Sequence, residues 1–149
     1  MTDHDRTDIS RHENDHLNRW NRACGPSNGE RTALVLVHGA DIDHRFWDVS
    51  GVRESIAEHH TVYAMDGRGH GASEDPGEFE LKREFEDIVA VVDSIDEPVQ
   101  VVAESGGAFY SLEAALRTDN IRTLALHEPL FQGSKALAPT RASRRWSPC

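Results

Sequence analysis

One serine in this sequence stands where a nucleophile would be useful. In Val101-Val102-Ala103-Glu104-Ser105-Gly106-Gly107-Ala108, a short apolar run gives way to a glycine pair and then to a stretch that suits a helix. A turn sharp enough to lift a hydroxyl above a sheet needs small residues two before and two after it, because larger side chains would strike neighbouring backbone. Ala103 and Gly107 meet that need. The helix N-terminus that follows would set its partial positive charge beside a developing anion. A tight strand-to-helix turn with an ordinary serine fits the same letters, since A-x-S-x-G alone is a common spacing.

A serine nucleophile needs a base, and the base needs an orienting acid. Beyond Ser105 the sequence offers one histidine, His127, and the acids Glu113, Asp119 and Glu128. His127 and Glu128, adjacent at the end of an apolar run, are the candidates for a substitute base or acid. The earlier histidines His4, His12 and His16 lie in a polar segment, and His44, His59 and His60 are expected to be solvated. Cys24 and Cys149 fit no zinc or C-x-x-C spacing and read as free thiols of a reducing compartment. No spacing supports a metal site. The loop Gly67-Arg68-Gly69-His70-Gly71-Ala72 is not a dinucleotide fingerprint, because Ala72 stands where that motif has glycine. No cofactor is expected.

The elements that would carry these residues follow from hydrophobic pattern. Ala33–Val37, Thr61–Met65, Val99–Ala103 and Ile121–Leu126 are short apolar runs, as expected for strands of a buried parallel sheet. Leu81, Phe85, Ile88, Val89 and Val92 fall on one face of a helix over 81–95. Residues 44–58 suit a helix with Phe46, Trp47, Val49, Val52 and Ile56 on its apolar side, weakened by Gly51. A third helix is expected from Gly106 to Arg117. The resulting alternation of strand and helix predicts an α/β fold with a mostly parallel sheet and helices on both faces. Residues 1–31 read as a polar, poorly ordered arm with a short helix around 17–23, residues 32–130 as the domain, and 131–149 as a basic irregular tail, native or out of frame.

Composition narrows the partners. Of 149 residues, 26 are Asp or Glu and 16 are Lys or Arg, for a net charge of −10. That charge repels phosphate, so neither nucleic acid nor an anionic membrane is expected as a partner. Only Lys82 and Lys135 are lysines, and an acidic, lysine-poor chain suggests a salt-adapted source. No apolar stretch approaches a membrane span and no signal peptide is evident, so the expected location is cytoplasmic.

Taken together, the motifs resemble the α/β-hydrolase fold family. Leu34-Val35-Leu36-Val37-His38-Gly39-Ala40 resembles its strand and oxyanion loop. Asp66-Gly67-Arg68-Gly69-His70-Gly71-Ala72-Ser73 resembles its D-x-R-G-x-G-x-S segment, and Leu126-His127-Glu128-Pro129 the end of the strand after the nucleophile helix. The resemblance covers the N-terminal half of that fold, a partial fold ending before the catalytic acid and histidine that usually follow later strands. It implies Ser105 as nucleophile and the N–H groups of Ala40 and Gly106 as the oxyanion hole. His38 would shape the loop or touch substrate, and Arg68 and His70 would hold the loop. Serine rather than aspartate argues against the haloalkane dehalogenase and epoxide hydrolase subgroups.

The implied activity is hydrolysis of an ester or related acyl bond in a small molecule. The alternatives are a catalytically inactive fragment, a binding module retaining the pocket floor, and one half of a complemented two-chain hydrolase. A sheet cut there would leave apolar edge exposed. Marginal stability is therefore expected unless a complementing chain or homo-oligomer covers it.

Overall fold

The computed structural model describes residues 21–24, 31–74 and 77–130. Five strands form one sheet: β1 (Asn21–Cys24), β2 (Ala33–Val37), β3 (Thr61–Met65), β4 (Val99–Glu104) and β5 (Ile121–His127). Four helices connect them: α1 (Arg45–Val49), α2 (Val52–Ala57), α3 (Leu81–Asp93) and α4 (Ser105–Ala114). The strand order is β1-β3-β2-β4-β5, with β1 antiparallel to β3 and every other pairing parallel. Strand β1 is an addition to the sequence reading, which expected a helix around 17–23. The basic tail from 131 and the residues before 21 lie outside the described residues.

The sheet is coated on two faces because its central strands are apolar on both. Val35, Val37, Val99, Val101 and Ala103 pack with Ile88, Val91 and Val92 of α3 and Ala108 of α4. Leu34, Leu36, Val62 and Ala64 face the other way, onto Trp47 of α1 and Ala57 of α2. Burying each such Leu or Val contributes roughly 1.5–3 kcal/mol, so β2, buried at all five positions, anchors the domain. Asn120 then ties α3 to the entry of β5, its amide donating to the carbonyls of Val92 (3.0 Å) and Ile95 (3.3 Å).

Two helices depart from the expected pattern. The segment 44–58 divides at Gly51, whose φ of 72° no helix accommodates. The break turns Val49 out to solvent, 89% exposed, while Trp47 stays buried. In α3 the buried face is Phe85, Ile88, Val91 and Val92, and Leu81 overhangs the first turn exposed.

Candidate active site

The connection leaving β2 runs to β3 on one side, and that leaving β4 runs to β5 on the other. Such a switch point leaves a crevice at the carboxyl ends of the two neighbouring strands. Three non-glycine residues have positive φ among the described ones: Asp41 (61°), Ser105 (52°) and Glu128 (44°). All three lie just beyond a strand's carboxyl end. Each costs on the order of 1–2 kcal/mol, so the strain is concentrated where the crevice is.

Ser105 opens α4 directly from the extended Glu104 (φ −121°, ψ 139°). The glycines around it are required by contact. A Cβ on Gly107 would run into the His38 carbonyl oxygen and lie 2.9 Å from Val37 Cγ1, so the helix rests directly on the backbone at the end of β2. A Cβ on Gly39 would strike the Glu104 carboxylate and lie 3.0 Å from Ser105 Cβ. One on Gly106 would sit 3.7 Å from the Ala40 amide nitrogen. The Gly39–Ala40 turn and the Ser105–Gly106 turn are thus pressed together, which brings the sequence-predicted Ala40, Ser105 and Gly106 to one place.

His38 holds this floor. Its Nδ1–H donates to the Gly39 carbonyl at 2.7 Å, and its Nε2 accepts the Gly67 N–H at 3.0 Å. With both nitrogens engaged it is a clamp between β2 and β3. Burial lowers its pKa, with His70 at 5.0 Å between ring centroids adding to the effect, while the bond to Gly39 opposes it. His38 therefore stays neutral, in keeping with its acceptor role at Nε2.

Asp66 organises the neighbouring loop. It is buried, and its carboxylate accepts the N–H of His44 (2.9 Å) and Ala72 (3.0 Å) and the His44 ring Nδ1–H (2.9 Å). Burial pushes its pKa up, but the bonds from Ala72 and His44 outweigh it and hold the carboxyl below its ordinary value. His44 is thus a structural partner, not the solvated residue expected, because the fold brings a buried carboxylate to it from β3. His59 is solvated as expected, whereas His60 meets Thr32 Oγ1 at 2.9 Å. Arg68 is held in a fork by Asp87 at 2.8 and 2.6 Å.

His127 pairs across the sheet with Glu104, the residue before Ser105. Glu104, His127 and Glu128 bring ligand-type atoms within 4.8 Å of one another, as do Asp43, His44 and Asp66. In the second group the atoms are already spent on hydrogen bonds. The first group is more open, with His127 and Glu128 exposed. The Leu130 N–H reaches back to the Ser105 carbonyl at 3.4 Å. No histidine among the described residues hydrogen-bonds the Ser105 hydroxyl.

Sequence reasoning missed a cavity of about 360 Å³ beside the Gly39–Asp41 turn, bounded by Glu84 and Tyr110 from α3 and α4. The one signal that could have marked it is Glu84, an acid three residues after Leu81 and four before Ile88 at the border of the apolar face of α3. No helix among the described residues is long and apolar enough to cross a membrane.

Comparison with known proteins agrees with this architecture. An α/β hydrolase from Sphaerobacter thermophilus is 33% identical, with a TM-score of 0.64 over 74% of this chain and 40% of its own. An N-formylmaleamic acid deformylase from Pseudomonas putida is 26% identical, with a TM-score of 0.63 over 76% and 45%. The bottromycin epimerase BotH, solved with bottromycin A2, is 32% identical, with a TM-score of 0.58 over 65% and 38%. The chain thus spans about 40% of the length of these structures. The profile of the alpha/beta hydrolase family matches residues 34–148. With that match and the sheet described above, the chain belongs to the alpha/beta hydrolase family.

Proposed function

We propose that this chain carries the nucleophile and oxyanion-binding parts of a serine-type acyl hydrolase acting on an ester or related acyl bond of a small molecule. The observation that carries the reading is Ser105 at φ 52° on a strand-to-helix turn, pressed against the Gly39–Ala40 turn. The serine oxygen attacks the acyl carbon as its proton passes to the base, the acyl–oxygen bond breaks with that proton going to the leaving alcohol, and water then cleaves the acyl-serine ester by the same route. The N–H groups of Ala40 and Gly106 take the developing oxyanion, a contribution that acts mainly in the transition state. A complementing chain supplies the acid and the imidazole, or His127 and Glu128 do so at the end of β5.

The test is turnover of p-nitrophenyl acetate in high salt by the chain and by Ser105→Ala. Loss of at least about 100-fold is expected. Equal rates, both above buffer, would sink the reading. A parallel loss in His127→Ala would make that residue the base, and an unchanged rate would exclude it from that role.

A second reading is a binding module that keeps the pocket floor without chemistry. It is favoured by the lack of a histidine bonded to Ser105 among the described residues. In that case both proteins stay at the buffer rate.

A further inference from the structure

We propose that the cavity beside the Gly39–Asp41 turn is a subsite for a cationic amine carried on an apolar group, so that the substrate of this site bears an ammonium arm. The substrate role rests on the acyl-hydrolase reading above; the binding itself does not require Ser105.

The argument begins with charge. Arg68 is the cation at the cavity, and its Nε and Nη2 are both committed to Asp87. Glu84 lies 3.9 Å from that guanidinium, too far for a hydrogen bond, with its side chain only 11% exposed. One positive charge therefore faces two largely buried carboxylates. Asp41 and Glu78 add two more acids along the wall. An anionic ligand would meet this excess unfavourably, and a neutral apolar one would leave Glu84 uncompensated. A cation supplies what is missing.

The remaining walls fit the rest of such a ligand. Val37, Met65 and Ile88 give an apolar floor, while Phe79 and Tyr110 offer aromatic rings. Phe79 is 72% exposed, an unusual position for a phenylalanine. Aromatic faces beside carboxylates are a recognised environment for ammonium groups. Burial pushes the Glu84 carboxyl up to about 7, Arg68 opposing and Asp87 adding to the rise. Burial, with the Glu84 carboxylate adding, raises the Tyr110 hydroxyl. A bound cation would lower both, so binding should strengthen from pH 6 to pH 8 as the Glu84 carboxyl gives up its proton.

The experiment measures binding of three probes of nearly equal size by calorimetry at matched ionic strength: benzylamine, benzyl alcohol and benzoate. The chain should bind benzylamine at least 10-fold more tightly than benzyl alcohol, and benzoate most weakly. Glu84→Gln should reduce that preference to about 2-fold or less, and Ser105→Ala should retain it. Phe79→Ala, at a site 72% exposed, should weaken benzylamine at least 3-fold. No benzylamine preference in the wild type would overturn the proposal, as would a preference untouched by both Glu84→Gln and Phe79→Ala. If the preference holds while Ser105→Ala leaves ester turnover unchanged, only the acyl-hydrolase reading falls. The reverse outcome removes only the subsite.

Discussion

Strands β2 and β5 belong to the same parallel sheet and end at the same edge, yet they are solvated oppositely. All five residues of β2 are buried, and none of the seven in β5 is. The letters differ accordingly. ALVLV is apolar on both faces, while IRTLALH places Ile121, Leu124 and Leu126 toward the α3–α4 core and leaves Thr123, Ala125 and His127 open. Helices α1 and α2 cover the second face over β2 and β3, Val102 of β4 packs at the margin of that cluster, and no residue of β5 joins it. Among the described residues the outer edge of β5 also has no partner strand. The rigid part of the site therefore stands on β2 and β4, and its acid–base candidates stand on the less supported strand.

The contrast is tested most strongly by truncating one leucine in each strand. Leu36→Ala should cost about 3–4 kcal/mol in chemical denaturation, and Leu124→Ala about 1 kcal/mol, because only the first leaves a cavity closed on all sides. Equal costs would mean that β5 is as well packed as β2.

Gly107→Ala should follow, at about 2–3 kcal/mol, since its methyl meets first the backbone of His38, which cannot swing away, and then Val37 Cγ1. The same substitution at Gly51 meets nothing within 4 Å and should cost only about 1 kcal/mol, from its positive φ.

The last effect concerns charge within the covered region and appears only as a slope with pH. The folded Glu84 carboxyl titrates at about 7, above its ordinary 4.5, so the folded chain binds that proton more tightly than the unfolded chain. The resulting stability is present below pH 4.5 and is lost as pH rises through 7, on the order of 2 kcal/mol. Glu84→Gln should remove that slope from denaturation curves between pH 5 and pH 8. A slope retained in the variant would show that another group carries it.

Much of this arrangement was legible in local sequence. Four strands were readable as apolar runs, and β2 and β3 have the boundaries that their residues suggest. The small residues around Ser105 marked the turn, because backbone crowding acts over a few positions. Strand β1 was not legible: Asn-Arg-Ala-Cys has neither alternation nor an apolar run, and it is a strand only because β3 has a free edge to pair with. The His44–Asp66 pair and the Arg68–Asp87 fork join residues 22 and 19 positions apart, distances at which no periodicity speaks. The cavity is further still from the letters, since it arises where two helices and a turn fail to fill space.

The contact between Gly107 and the His38 carbonyl has one more consequence. The spacing between the serine turn and the turn carrying Ala40 is set by main chain against main chain, so it does not pass through any rotamer. Neighbouring side chains can be exchanged without moving it, provided that position 107 keeps no side chain at all. The surroundings of the site are thus free to drift through evolution toward new ligands while one short distance stays as it is.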